Sequence, residues 1–326
     1  MKVFTREHRI TGEYHPLFKT YFKDLKPCVM DIEATGLDSL RCKVILIGLL
    51  VRTESGVQIT QFLAENHYEE AKVLDAAMDF IEELGDSYLI TYNGYGYDVP
   101  FVNKRLEYNM MGRELCMYHF DLYRFLKKYS GLRTKLPSLS QTAVEEYYGI
   151  LSDRGDTITG RESISLFNQY AVSGNSTIEK IILTHNREDV LHLNRLMYLA
   201  LAEVHNMHEA LAGYGFPAAA GRLSVRPAID RQKSLLKIRG EQIKNPIACA
   251  YFPDGENPLE VSFRETSASY EIDAPLGRHN DEFFMDISFS DALSALNQDE
   301  DCVNGYLILN SRTINLLSSI LVESYL

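Results

Sequence analysis

Val29-Met30-Asp31-Ile32-Glu33-Ala34-Thr35-Gly36-Leu37 is where an apolar run that begins near Pro27 ends on two acids one residue apart. Side chains alternate faces along a strand, so Asp31 and Glu33 point to one side of an otherwise hydrophobic segment. At an effective dielectric of about 20, two carboxylates roughly 5 Å apart repel by about 3 kcal/mol, which calls for a cation, a shared proton or a basic partner. No Lys or Arg lies between Pro27 and Leu40, and that absence favours a metal. Hard divalent cations such as Mg2+ take oxygen ligands. Thr35-Gly36, just beyond the acids, lets a substrate backbone come close where the strand turns, with Leu37 beside it.

Working outward, two short apolar stretches follow, 43–53 and 57–63, separated by the turn-forming Glu54-Ser55-Gly56. Residues 67–84 carry helical spacing through Ala71, Leu74, Ala77, Met78 and Ile81, and Gly85-Asp86 closes that helix before a strand at 88–92. The pattern continues as helix 98–111, strand 117–120 and helix 121–129. Further helical stretches lie near 138–148 and 161–170, and a long one runs over 176–206. Strands first, then alternating helices and strands, predict an α/β sandwich whose mixed sheet is flanked by helices. An Ala- and Gly-rich passage at 213–221, interrupted by Pro217, suggests a boundary. The expected organisation is a domain over 1–212, a linker over 213–234, and a small β-rich appendage over 235–326 that ends in a helix.

Composition narrows the classes. The chain has 326 residues, 45% of them apolar, enough for one large core or two smaller ones. The densest apolar run, 44–51, is far too short to cross a bilayer, and charged residues stand where a signal peptide needs a continuous apolar segment. Five cysteines without a CxxC spacing argue against a disulfide framework and a zinc site. A cytoplasmic protein with no membrane partner is expected. The net charge of -12 excludes coating of nucleic acid by bulk attraction, but not a nuclease. Two basic stretches interrupt the acidic balance, 124–135 with no acid and 222–244, and either suits a phosphate backbone or a solvated face.

Two further acids stand out. Asp98 ends Tyr92-Asn93-Gly94-Tyr95-Gly96-Tyr97-Asp98, where a strand finishes in a Gly-rich turn before a helix. An acid there can simply cap the helix. The glycines would admit a substrate, though, and the faces of Tyr95 and Tyr97 could stack on a base or sugar at about 1–3 kcal/mol each. Asn93 fixes the Gly94 turn or contacts substrate. Asp189 lies in the long helix, four residues after His185 and so on the same face. Four acids supplied from a strand, a loop and a helix can assemble a two-metal site. Asp121 is read as a helix cap, His119 and His192 as structural or surface residues, and Gly48, Phe101 and Arg105 as packing or helix-surface residues.

Asp31-x-Glu33, Asn93-x-x-x-Tyr97-Asp98 and the His185 to Asp189 segment resemble the three motifs of the DEDD class of 3'-5' exonucleases, which have the ribonuclease-H-like fold. The run from Val29 to about Leu196 is most similar to the YprB-type predicted exonuclease family and the proofreading domain of family B DNA polymerases. The resemblance implies that Asp31, Glu33, Asp98 and Asp189 hold two Mg2+ or Mn2+ ions and that nucleic acid, most simply a single-stranded 3' end, is the substrate. In that class the water-orienting residue is a Tyr four positions before the last Asp or a His five before it. Here His185 stands at the tyrosine spacing and Thr184 at the histidine spacing, with His185 the candidate general base. The alternatives are a catalytically silent nucleic-acid- or protein-binding module on the same fold, and an endonuclease using the same site. The region from Leu235 onward carries no such resemblance.

Overall fold

In the computed structural model, which describes residues 1–10, 12–155 and 158–326, the Asp-x-Glu segment becomes an inner strand of a six-stranded sheet. The chain forms two units, Met1–Pro16 with Leu25–His205, and Leu17–Asp24 with Asn206–Leu326. The first contains β1 (Lys2–His8), β2 (Lys26–Ala34), β3 (Val44–Thr53), β4 (Gly56–Leu63), β5 (Ser87–Thr91) and β6 (Tyr118–Asp121). Side by side they run β1-β4-β3-β2-β5-β6. Pairing is antiparallel from β1 as far as β2, and parallel from β2 through β5 to β6. The carboxyl ends of β2, β5 and β6 therefore share one edge of the sheet, the edge where open α/β sheets bind ligands.

Helix α1 (Pro16–Phe22) belongs, from Leu17 onward, to the second unit. The first unit adds α2 (Glu70–Glu83), α3 (Asp98–Tyr108), α4 (Leu122–Tyr129), α5 (Leu132–Lys135), α6 (Gln141–Tyr147), α7 (Gly160–Ser173) and α8 (Ser176–Leu199). β3 reads Val-Ile-Leu-Ile-Gly-Leu-Leu-Val and is buried on both faces, as a strand covered by helices on each side must be. β2 divides its residues instead. Cys28, Met30, Ile32 and Ala34 join Val73, Leu74 and Ala77 of α2 and Phe101, Val102 and Leu106 of α3 in one core. Each fully buried Leu or Val there contributes about 1.5–3 kcal/mol. Asp31 and Glu33, on the other face, meet α8.

One polar contact lies inside this packing. Arg105, read from sequence as a packing or surface residue, is 2% exposed and donates from Nε and Nη2 to the two oxygens of Glu70 at 2.8 and 2.7 Å. Glu70 also accepts the Val44 amide at 2.8 Å, and Arg105 reaches the Ser39 carbonyl at 3.0 Å. The pair ties α2 and α3 to β3 and to the loop after β2.

The second unit has a six-stranded antiparallel sheet within residues 216–275, a four-stranded antiparallel sheet within 277–308, and helices α9 (Met207–Tyr214) and α10 (Ser311–Glu323). Residues 213–234, expected as a linker, are built into this unit. Phe216–Ala218 and Leu223–Asp230 are paired strands, and the Ala- and Gly-rich passage is the turn between them, with Ala219, Ala220 and Gly221 all at positive φ. Gly221 takes its left-handed backbone without steric cost, and the passage is a tight turn rather than a free connection. The long helix expected over 176–206 ends at Leu199, and 200–203 tightens into a 3-10 turn. Among the described residues no helix is long and apolar enough to cross a membrane.

Candidate metal centre

β2 pairs with β3 so that Asp31 stands opposite Gly48 and Glu33 opposite Leu46, and a bulge after Glu33 breaks the register before Ala34. Such a bulge re-aims side chains at a strand end. Asn186 of α8 crosses the sheet face here. Its Nδ2 donates to Asp31 Oδ2 at 2.9 Å and to the Asp31 carbonyl at 3.2 Å, while its Oδ1 accepts from Gln61 Nε2 at 2.8 Å. A Cβ at position 48 would come within 2.1 Å of Asn186 Oδ1, so glycine is required for that crossing. Gly48 is thus more than a packing residue, and neither Gln61 nor a role for Asn186 follows from motif spacing.

Asp98 opens α3, after Tyr97 at the N-cap, which offers no side-chain cap bond. The Asp98 carboxyl is buried near the backbone amide of Ile32, the residue between the two acids of β2. Burial pushes Asp98 up to about 7, against the pull of that amide and its own. Burial likewise pushes Glu33 up to about 7, with His185 opposing it. The Asp31 carboxyl is held well above the usual range, first by burial and then by the charges of Asp189, Asp98 and Glu33. Asp31, Glu33 and Asp98 thus sense one another and Asp189, and burial favours the protonated forms of those three.

On α8, His185 Nε2 lies 3.6 Å from Glu33 Oε1 and 3.7 Å from Asp189 Oδ2. Glu33, His185 and Asp189 each offer a donor atom within 4.8 Å of the others, the one such group among the described residues. Asp31 and Asp98, expected as ligands alongside them, fall outside that group. Asp31 takes Asn186. Asp189 takes Arg154, whose Nη2 donates to Oδ1 while Nη1 is held by both oxygens of the fully buried Glu145 at 3.2 and 3.1 Å. Arg154 stands 35 residues before the Asp189 that it pairs. Two carboxylates and an imidazole this close suit a divalent cation by donor chemistry.

These groups line a cleft of about 930 Å³ together with Gly36, Leu37, Tyr97, Arg154, Thr159 and Arg161. Tyr97 Oη donates to the Gly36 carbonyl at 3.1 Å, and burial, reinforced by the charge of Asp98, pushes its hydroxyl up to about 12. A Cβ at Gly36 would meet Cys42 Sγ at 2.7 Å, so the loop is closely drawn in. Leu37 is 85% exposed at the rim. Three expected substrate-binding residues are thus in the cleft: Gly36, Leu37 and Tyr97.

The other three are elsewhere. Thr35 is not a lining residue; its hydroxyl accepts the Lys43 amide at 2.9 Å and closes the loop against β3. Asn93 and Tyr95 line a second cavity. The Asn93 and Tyr95 amides each donate to Asp121 at 3.0 Å, and Asp121 also accepts the Arg124 amide as the N-cap of α4. Asn93, at φ 64°, is therefore a turn residue, and Asp121 a structural acid. Tyr95 is stacked on His119 at 4.4 Å, and the Arg124 guanidinium lies 4.5 Å from the same ring centre. Sterics put these on opposite faces, so both faces that were expected to receive a base are covered.

A mixed sheet flanked by helices, with acids gathered where its inner strands end, defines a ribonuclease-H-like fold. Residues 28–201 match the RNase_H superfamily, and the chain belongs to it. Members are generally nucleases that use divalent metals. No curated protein matches the chain. Among solved structures it is similar to the family B DNA polymerase from the hyperthermophilic archaeon Pyrobaculum calidifontis, at 16% identity and a TM-score of 0.43. The likeness covers 77% of this chain and 37% of the polymerase, so the chain spans little more than a third of that protein.

Proposed function

We propose that the protein hydrolyses phosphodiester bonds of DNA or RNA from a single-stranded 3' end, as a metal-dependent 3'-5' exonuclease. The observation that carries this reading is the buried group of Glu33, His185 and Asp189, electrostatically joined to Asp31 and Asp98, at the wall of a cleft in an RNase_H superfamily chain. Asp31, Glu33, Asp98 and Asp189 would hold two Mg2+ or Mn2+ ions. When bound, such ions supply a water of lowered pKa and stabilise the leaving 3' oxygen. His185 Nε2, between Glu33 and Asp189, takes or orients the proton of the attacking water. Tyr97 fixes the Gly36 loop, and Leu37 at the rim meets the terminal nucleotide. A cytoplasmic location belongs to the same proposal.

The test is degradation of 5'-labelled single-stranded DNA and RNA in Mn2+ by the wild type, Asp31→Ala and Asp189→Ala. The expected result is a ladder shortening one nucleotide at a time from the 3' end, lost in both variants. Equal degradation by all three proteins would sink the proposal, and internal cuts would favour an endonuclease.

A second reading, the catalytically silent module, draws on Arg154, which already neutralises Asp189. Thermal melting separates the two. A nuclease site is stabilised by Mn2+ well above its dissociation constant, by about 2.7 kcal/mol at a hundredfold excess over it. A silent module shows no shift.

A further inference from the structure

We infer that the second cavity, on the far side of the Asn93–Asp98 turn from the cleft, is a subsite for the phosphodiester backbone of the strand being processed. This rests on the nuclease reading above and adds where the strand runs. The cavity, about 590 Å³, is lined by Arg124, Lys127, Lys128 and Arg133 together with Tyr95 and Tyr123. Arg124, Lys127 and Lys128 stand at i, i+3 and i+4 on α4, one face of the helix.

In a chain of net charge -12, four clustered cations would ordinarily find acids. Among the described residues none of the four has a carboxylate within 4.0 Å, whereas neighbouring Lys135 is paired with Glu203 at 2.6 Å. Asp121, behind them, is fully buried and spends its oxygens on the amides of Asn93, Tyr95 and Arg124. The cations lie instead over tyrosine rings: Arg124 on Tyr95 at 4.5 Å, Lys127 on Tyr123 at 5.5 Å and Lys128 on Tyr129 at 4.9 Å. A ring face holds a cation weakly and leaves its charge available to an anion.

Connectivity supplies the ligand class. Asn93, Tyr95 and Gly96 face this cavity, Tyr97 faces the cleft, and Asp98 abuts β2, so one six-residue segment separates the two spaces. A strand whose last phosphodiester is in the cleft would be led along this segment toward the four cations. Because Tyr95 is covered on both faces, the subsite reads charge and not bases.

The test is fluorescence anisotropy of a labelled 20-nucleotide single strand, DNA or RNA, in EDTA, so that no cleavage occurs. Lys127→Ala/Lys128→Ala is compared with wild type and with Lys72→Ala/Lys104→Ala, which removes two surface lysines paired with Glu69 and Glu107. Counterion release gives about 0.7 in the slope of log K against log salt for each phosphate contact, or about 5-fold in Kd per contact at 0.1 M salt. The cavity variant should therefore bind about 25-fold more weakly, with a slope reduced by about 1.4, at an unchanged melting temperature. A loss no larger than that of the control pair would overturn the subsite, as would displacement of the strand by polyglutamate at equal charge concentration. Cavity-dependent binding by a wild type that then fails to cleave in Mn2+ would sink the nuclease reading and leave the subsite standing. Cleavage without cavity-dependent binding would do the reverse.

Discussion

Arg154 bridges two acids of different kinds, the fully buried Glu145 and the cleft-wall Asp189. In the proposed metal site the guanidinium, held by Glu145, would compete with a divalent cation for Asp189. Arg154→Ala is expected to lower the melting temperature of the metal-free protein, since unpairing a largely buried acid costs up to about 3–5 kcal/mol. The same variant should show a larger upward shift with Mn2+ than wild type does, and a smaller shift would remove Arg154 from the site. On the proposed reading Asn186 would act in the opposite sense, steadying Asp31 for a cation. Asn186→Ala should weaken Mn2+ binding, read by titration calorimetry, by about 10–100-fold, the usual loss when a group orienting a ligand is removed. At this scale the sequence was legible where chemistry has a short period. Asp31 and Glu33 two apart, and His185 and Asp189 four apart, announce shared faces. Arg154, Gln61 and the use of Asn186 come from tertiary approach, for which no local spacing exists.

The strand and the helix that carry the acids fit only because one position between them has no side chain. Gly48 on β3 lets Asn186 of α8 cross to Asp31, and an added methyl would meet the amide head-on. Gly48→Ala should destabilise the fold by about 1–3 kcal/mol, as overpacking of a core does, and should weaken Mn2+ binding alongside, measured by denaturant unfolding and calorimetry. Unchanged metal affinity would mean that Asn186 does not position Asp31. The β2–β6 strands and most helices stand out in the sequence because apolar runs or helical periods mark them. β1, which reads Lys-Val-Phe-Thr-Arg-Glu-His, does not. It is an edge strand with one side open to solvent, and its polar residues gave no alternation long enough to call a strand. The 213–234 stretch misleads for a different reason: Pro217 and the alanines that look like a linker form a tight turn within a sheet.

Over the whole molecule, the buried acids tie stability to pH. Glu33 has an ordinary value of 4.5 and is pushed by burial to about 7 in the folded chain. The folded state thus holds its proton more tightly than the unfolded one. Its contribution to stability is complete below about 4.5 and is lost as the pH rises through about 7. Asp98, also pushed to about 7, acts in the same direction. The metal-free protein should therefore melt at a higher temperature near pH 5.5 than near pH 8, with Glu33→Gln flattening the dependence. Mn2+ should stabilise most at the higher pH, where the carboxyls are ionised and ready to bind. A metal-free melting temperature that rises from pH 5.5 to pH 8 would show that the acids are not held as described.

Anomalous diffraction from crystals soaked in Mn2+ shows whether these acids form a cation site in the cleft. The expected result is a peak between the carboxylates of Glu33 and Asp189, with Arg154 drawn off Asp189 and Asp31 turned toward the ion. Fully soaked crystals with no peak there, and Arg154 still bound to Asp189, would contradict it.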